Sequence, residues 1–276
     1  MKKEGLVLFV SGSSGVGKNT LIHGLLAKEG YKFISSYTTR APRESDTPNQ
    51  YQYISIAEFE AKIKSNEILE YDIFNENYYG TSRKMFIDGL NEANVVLKDI
   101  TVLGHKNIVE KMGDEVNLLS VFLTEDKKVL KQRLTDRGEK PEKIKARLSL
   151  YKKEQSQIYE YDYVIKNTVY LKSLEKMEKL CEIGLGKARL LPYKEYNKLS
   201  AKKIDKYAAK LEQGKTLKSI KVALYNNEIY IVDGVHRYLA SLKTGKNVVK
   251  EFVEVAPKNT NANLEEWDKI VKSYTI

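Results

Sequence analysis

The chain has 276 residues, 42% of them hydrophobic and 30% charged, with a net charge of +10. That composition is globular, and the length allows one large domain or two smaller ones. A single cysteine, Cys181, excludes an intrachain disulfide and suits a reducing cytoplasm; three scattered histidines argue against a zinc site, and no apolar run reaches membrane-spanning length.

Leu6–Val10 is too short for the core of a signal peptide and reads as a buried strand near 5–10. It runs into Gly12-Ser13-Ser14-Gly15-Val16-Gly17-Lys18-Asn19-Thr20, and a helix is expected over about 18–28. Strand, glycine-rich loop and helix in that order make a phosphate-cradling P-loop. Its backbone N–H groups turn inward around an anion, and the helix N-terminus adds a favourable dipole. Gly12, Gly15 and Gly17 give the loop its freedom, and Lys18 supplies the charge at the transferred phosphate. Asn19 stands where Ser or Thr usually follows the lysine; Thr20, one step on, is the hydroxyl available to a metal ion. The loop predicts nucleotide binding.

Lys32–Ser35 reads as extended. Arg40 and Arg43, three apart and fixed by Pro42, make a clamp for a phosphate monoester. Ser55 and Glu58 form a capping box opening a helix with Phe59 and Ile63 on one face. Asn94–Leu97 and Val116–Leu123 read as buried parallel strands, with helices near 102–112, 126–136, 141–160 and 171–183 and a last strand at Tyr163–Ile165. The alternation is that of a doubly wound α/β fold.

Gly184, Gly186 and Pro192 mark a boundary, giving expected domains of residues 1–184 and 185–276. Beyond it the sequence predicts a helix near 200–212, a strand at 220–224, a hairpin turn at Asn226-Asn227, a strand at 228–232, a helix at 236–243, a strand at 248–255 and a helix at 264–273. Residues 185–276 hold 18 Lys and Arg against 10 Asp and Glu, so most of the net positive charge, +8 of +10, is C-terminal. An anionic partner such as nucleic acid and a lysine-rich solubilising surface both account for that surplus.

Several motifs taken together resemble the guanylate kinase family over about residues 5–183. They are the P-loop, Ser36–Arg43 with Tyr51, Glu70, Asn77-Tyr78-Tyr79-Gly80-Thr81, and Asp99. Arg133–Gly138 with Ile144–Leu148 and the closing Tyr161–Asn167 complete the set. The resemblance implies a P-loop nucleoside monophosphate kinase fold with a parallel sheet and a lid, using ATP and Mg²⁺. Arg40, Arg43, Tyr51 and Tyr79 would hold the acceptor 5′-phosphate. Ser36, Glu70 and Thr81 would face the base, with Asp99 in the acceptor site. Lys18 and the P-loop would hold the donor phosphates, and Arg137 and Arg147 would neutralise charge on the transferring group. Singly, these arginines would read as solvated charges and the tyrosines as core aromatics. The chain departs from the family at Ser13, for a usual proline, and at Thr101, for a common second aspartate. The loss at Thr101 leaves GMP, dGMP and a modified guanine nucleotide open as acceptors. A non-catalytic scaffold of this family typically lacks a working P-loop, which Lys18 disfavours here.

Tyr230–Ala240 reads as strand, glycine turn and helix, with Gly234, His236 and Arg237 converging on a helix N-terminus suited to phosphate. The segment resembles the ParB/sulfiredoxin superfamily over about residues 187–256, implying a small mixed α/β domain. Val235 stands where sulfiredoxins carry their cysteine, which disfavours sulfinic acid reduction. A nucleotide-dependent DNA-binding module, a second phosphotransferase and a phosphate sensor remain open, as does a DNA-processing role for the whole chain. His236 and Arg237 could equally cap and pair locally.

Overall fold

Leu6–Ser11 are buried one after another in β1 (Lys3–Gly12), as a parallel strand covered on both faces must be. The computed structural model describes residues 2–43, 46, 50–74, 76–193, 199–255 and 263–275. The chain divides into two compact units, residues 1–12 with 17–120 and residues 13–16 with 121–276.

In the first unit α1 (Lys18–Leu26) follows β1 and buries Leu21, Ile22 and Leu25. The short strands β2 (Tyr31–Phe33), β3 (Ser36–Thr38) and β4 (Tyr51–Tyr53) come next. The capping box then opens α2 (Ile56–Lys64): Ser55 accepts from the Glu58 N–H and Glu58 reaches back to the Ser55 N–H. Phe59 is the residue α2 buries. After it come β5 (Ile68–Phe74), β6 (Asn77–Ser82), α3 (Arg83–Glu92), β7 (Val95–Asp99) and α4 (Val102–Met112). Strands β1, β7 and β2 are neighbours in one sheet, paired parallel, with Val10 opposite Asp99 and Phe33 opposite Leu97. None of β3, β4, β5 and β6 is expected from the sequence, and together they form a separate sheet of order β4-β3-β6-β5. Strands β1, β5 and β7 and helices α3 and α4 share an apolar core in which Phe9 meets Phe86 edge-on at 6.0 Å.

The second unit takes up the end of β8 (Val116–Thr124), then α5 (Lys127–Asp136), α6 (Pro141–Ser149), α7 (Tyr151–Ser156), β9 (Tyr163–Lys166) and α8 (Tyr170–Gly184). The continuous helix expected over 141–160 is instead broken at Leu150. Hydroxyl bonds tether the segment after the break: Tyr151 donates to the Glu125 carbonyl at 3.0 Å, and Thr124 donates to Gln155 at 2.9 Å. Local helical propensity contains neither contact.

The chain continues as β10 (Leu190–Pro192), α9 (Ala201–Glu212), β11 (Ile220–Tyr225), β12 (Glu228–Asp233), α10 (Val235–Thr244), β13 (Lys250–Phe252) and α11 (Leu264–Tyr274). Asn226 and Asn227 both have positive φ, 48° and 58°, the requirement of the hairpin turn expected there. Strand β13 is shorter than expected and pairs parallel with β9, Lys250 opposite Tyr163. The sheet therefore runs on past residue 184 in the order β10-β12-β11-β13-β9-β8. Trp267, fully buried, donates from its indole N–H to the Leu190 carbonyl at 2.9 Å and stacks on Tyr238.

Candidate active site

The loop after β1 turns through Gly12, Gly15 and Gly17 at φ of 140°, 83° and 98°, backbone that only glycine adopts without strain. A Cβ on Gly15 would also lie 3.1 Å from Leu134 of α5. Gly17 caps α1 without a side chain, and no acid sits in the helix's first turn. The first amides are thus left for an anion, in the field of the helix dipole. Lys18 folds back over the loop, its Nζ 2.6 Å from the Gly12 carbonyl. Asn19 and Thr20 are exposed, as a metal-facing hydroxyl must be. These features fit a polyphosphate and its cation.

In the second unit the Val16 carbonyl is held by Asn167 Nδ2 at 2.7 Å and Arg133 Nη1 at 3.3 Å, while Arg133 Nη2 donates to the Asn167 carbonyl at 2.9 Å. Buried Glu125 lies 3.8 Å from Arg133 and 3.6 Å from Lys166. Arg133 and Asn167 therefore tie down the loop, a role the sequence did not reveal although both residues fell inside recognised motifs. Arg137 ends α5 and Arg147 lies on α6, both exposed; Arg147 pairs with Glu139 at 3.1 Å.

The residues expected to clamp a phosphate belong to the first unit. Arg40 is 8% exposed, with its guanidinium 5.1 Å from the Tyr51 ring centroid, and Tyr51 packs edge-on against Tyr79 at 5.9 Å. Asp46, which the sequence did not single out, organises this corner. Its Oδ1 accepts from Arg40 Nη2 at 2.8 Å, and its Oδ2 accepts from the Arg43 N–H at 2.8 Å and the Tyr53 hydroxyl at 2.6 Å. These donors hold the Asp46 carboxyl well below the usual carboxylate range, and Asp46 raises the Arg40 guanidinium in turn. The Arg43 side chain is exposed.

Glu70 on β5 and Thr81 on β6 stand opposite each other, and the Thr81 hydroxyl donates to Glu70 Oε1 at 2.9 Å. Gly80 permits this approach, since a Cβ there would come within 2.7 Å of the Glu70 carbonyl. The other carboxylate oxygen faces the start of α4, where a Cβ on Gly104 would lie 2.9 Å away. Burial pushes the Glu70 carboxyl above its ordinary value, opposed by the Thr81 hydroxyl and by Lys98. Thr101 caps α4, accepting from the Gly104 N–H at 3.2 Å. Asp99 lines a pocket of about 180 Å³ with Asn19, His23, Phe33 and Gln50, so the P-loop helix and the end of β7 share one hollow.

In the second unit Gly234 caps α10 at φ 97° without a side chain. His236 Nε2 accepts from the Ser200 N–H at 3.2 Å, and burial lowers its pKa. Arg237 Nη2 donates to Asp233 at 2.9 Å and to the Ser219 carbonyl at 3.2 Å, while its buried Nε has no hydrogen-bond partner.

A glycine loop leading into a helix N-terminus, with Lys18 folded over it, is the arrangement of a P-loop phosphotransferase. The guanylate kinase family model matches residues 4–183, and the chain belongs to that family. It is similar to guanylate kinase of Campylobacter jejuni, 39% identical over 183 residues that cover 64% of this chain and 87% of the relative. The corresponding enzyme of Sulfurimonas denitrificans is 35% identical over 71% of this chain and 94% of its own. The crystal structure of guanylate kinase from Anaplasma phagocytophilum matches with a TM-score of 0.50 and 25% identity, covering 66% of this chain and 87% of the other. The chain is a nucleoside monophosphate kinase, using ATP with Mg²⁺. No helix among the described residues is long and apolar enough to cross a membrane.

Proposed function

We propose that the first 184 residues transfer the terminal phosphoryl group of ATP to the 5′-phosphate of a guanine nucleotide, GMP or dGMP or a modified relative. The observation that carries the reading is the Glu70–Thr81 pair at 2.9 Å. Thr81 takes one carboxylate oxygen and leaves acceptor capacity for the ring N–H and amino group of guanine. Adenine offers no ring N–H at that place, and a site built for such bonds rejects the base that lacks them. Arg40, Arg43, Tyr51 and Tyr79 hold the acceptor phosphate, and Ser36 faces the base. Lys18 and the amides after Gly12, Gly15 and Gly17 orient the donor phosphates, with Arg137 and Arg147 supplying positive charge during transfer. Mg²⁺, when bound, neutralises charge on the donor phosphates, and Thr20 is the protein hydroxyl offered to it.

Residues 185–276 are proposed to bind a phosphate-bearing ligand at Gly234, His236 and Arg237. Support comes from the uncapped start of α10 and the unpartnered Arg237 Nε. Their positive surplus also suits nucleic acid.

The test is an ATP-dependent assay over ribo- and deoxynucleoside monophosphates, read by mass spectrometry. Diphosphate should form from GMP or dGMP and not from AMP, CMP or UMP. Equal turnover of AMP would remove the base-reading role of Glu70.

A further inference from the structure

Lys98 closes the buried run of β7 and is 3% exposed. Burying an ammonium costs several kcal/mol unless it is paired and hydrogen-bonded, so its surroundings have to account for it. Its Nζ donates to the Ile34 carbonyl at 3.1 Å, to the Ser35 carbonyl at 3.3 Å and to Ser36 Oγ. The Phe33 ring centroid lies 5.6 Å away. Three acceptors engage the three donors of an ammonium, so none is left over for a ligand. Asp99 and Glu70 are the carboxylates whose fields favour the charge, against the effect of burial.

We infer that Lys98 is a positioning residue for recognition of the acceptor base: by donating to Ser36 Oγ it turns the serine's own hydrogen toward the ligand, setting a donor beside the Glu70 acceptor. The inference rests on the guanine reading above. A cation donating to Oγ occupies one lone pair and repels the hydroxyl hydrogen, which turns away from it. Ser36 then matches a ligand carbonyl and opposes a ligand amino group. Guanine carries a carbonyl beside a ring N–H. Adenine carries an amino group beside an unprotonated ring nitrogen, and is mismatched at Ser36 and Glu70 together. Thr101, occupied in capping α4, does not fill this part.

The experiment is a double-mutant cycle on the full chain, with Lys98→Met, Ser36→Ala and the combination, each checked by a thermal melt. The readout is the kcat/KM of GMP divided by that of AMP, with the KM for ATP alongside. Lys98→Met should lower the ratio roughly tenfold, about one hydrogen bond's worth, and leave the KM for ATP unchanged. The double variant should lose no more selectivity than Ser36→Ala alone, because the lysine acts through the serine. Losses that add independently, or an unchanged ratio in folded Lys98→Met, overturn the inference. Should Lys98→Met not fold, Lys98→Gln carries the test. It keeps an N–H donor to Ser36 and should hold the ratio within about threefold of wild type, so a ratio as low as that of Ser36→Ala counts against the role. A wild-type chain that turns over GMP and AMP alike fails the guanine reading itself, and the inference with it.

Discussion

Arg40 and Asp46 are paired at 2.8 Å, the arginine 8% exposed and the carboxylate also held by the Arg43 amide and the Tyr53 hydroxyl. Asp46 thus fixes the orientation of the Arg40 guanidinium, which under the proposed function meets the acceptor phosphate. Asp46→Asn removes the charge but keeps an oxygen, and should raise the acceptor KM roughly fivefold or more with a smaller change in kcat. The carboxyl is held well below its ordinary value, so the pair stays ionised as pH falls from 7 to 5. Loss of acceptor affinity over that range should therefore come not from this pair but from the substrate phosphate, whose second ionisation lies at about 6, and from Glu70. Initial rates against acceptor concentration at several pH values check both points.

Lys18 is the cation of the loop, and its Nζ donates to the Gly12 carbonyl at 2.6 Å. Lys18→Ala should lower kcat by about 10²-fold or more, the loss expected when one preorganised charge contact to the transition state is removed. The melting temperature should stay close to wild type, because Lys18 is not part of the buried core. Wild-type turnover by this variant would displace the P-loop from the chemistry.

Glu70→Gln should separate recognition from stability. Burial raises the folded-state pKa of Glu70 above its unfolded value, so its favourable contribution to stability is present in acid and lost as pH rises through the folded pKa. At pH 7 the glutamine variant should therefore melt no lower than wild type. The acceptor KM should rise by tenfold or more, roughly the value of a charged hydrogen bond, while the KM for ATP holds. Acceptor binding by wild type should weaken on acidification at a higher pH than an ordinary glutamate would dictate. A variant that lost ATP affinity instead would move Glu70 out of the acceptor site.

Arg237 belongs to the second unit, whereas Lys18, Arg40 and Glu70 belong to the first. Arg237→Ala in the full chain should weaken binding of inorganic phosphate or a nucleotide to residues 185–276 by about 1.5–3 kcal/mol. Monophosphate kinase turnover should be nearly unchanged. Isothermal titration and a kinase assay on the same preparation separate the two effects, and a collapse of turnover would mean that the two sites act as one.

The sequence by itself determined the elements whose signals are local. Leu6–Val10, the glycine loop and Lys18 specify strand, anion cradle and helix within thirteen residues. Ser55 with Glu58 specifies a helix start, and Asn226-Asn227 specifies a turn, because each depends on backbone sterics or a bond spanning three residues. Tertiary structure alone decided the rest. The sheet carrying Glu70 and Thr81 joins strands whose pairing partners lie up to 43 residues apart, as Tyr37 and Gly80 do, and nothing local reveals that pairing. Lys98 looks like a strand-end charge until Ser36 is folded against it, and Asp46 looks like a loop acid until Arg40 and Tyr53 close on it. The helix expected over 141–160 is interrupted at Leu150, and beyond it Tyr151 and Gln155 are bonded to Glu125 and Thr124, contacts that no local propensity contains. A residue's partner across a fold is set by where the backbone returns, and that return is governed by packing of the whole core rather than by the residues on either side.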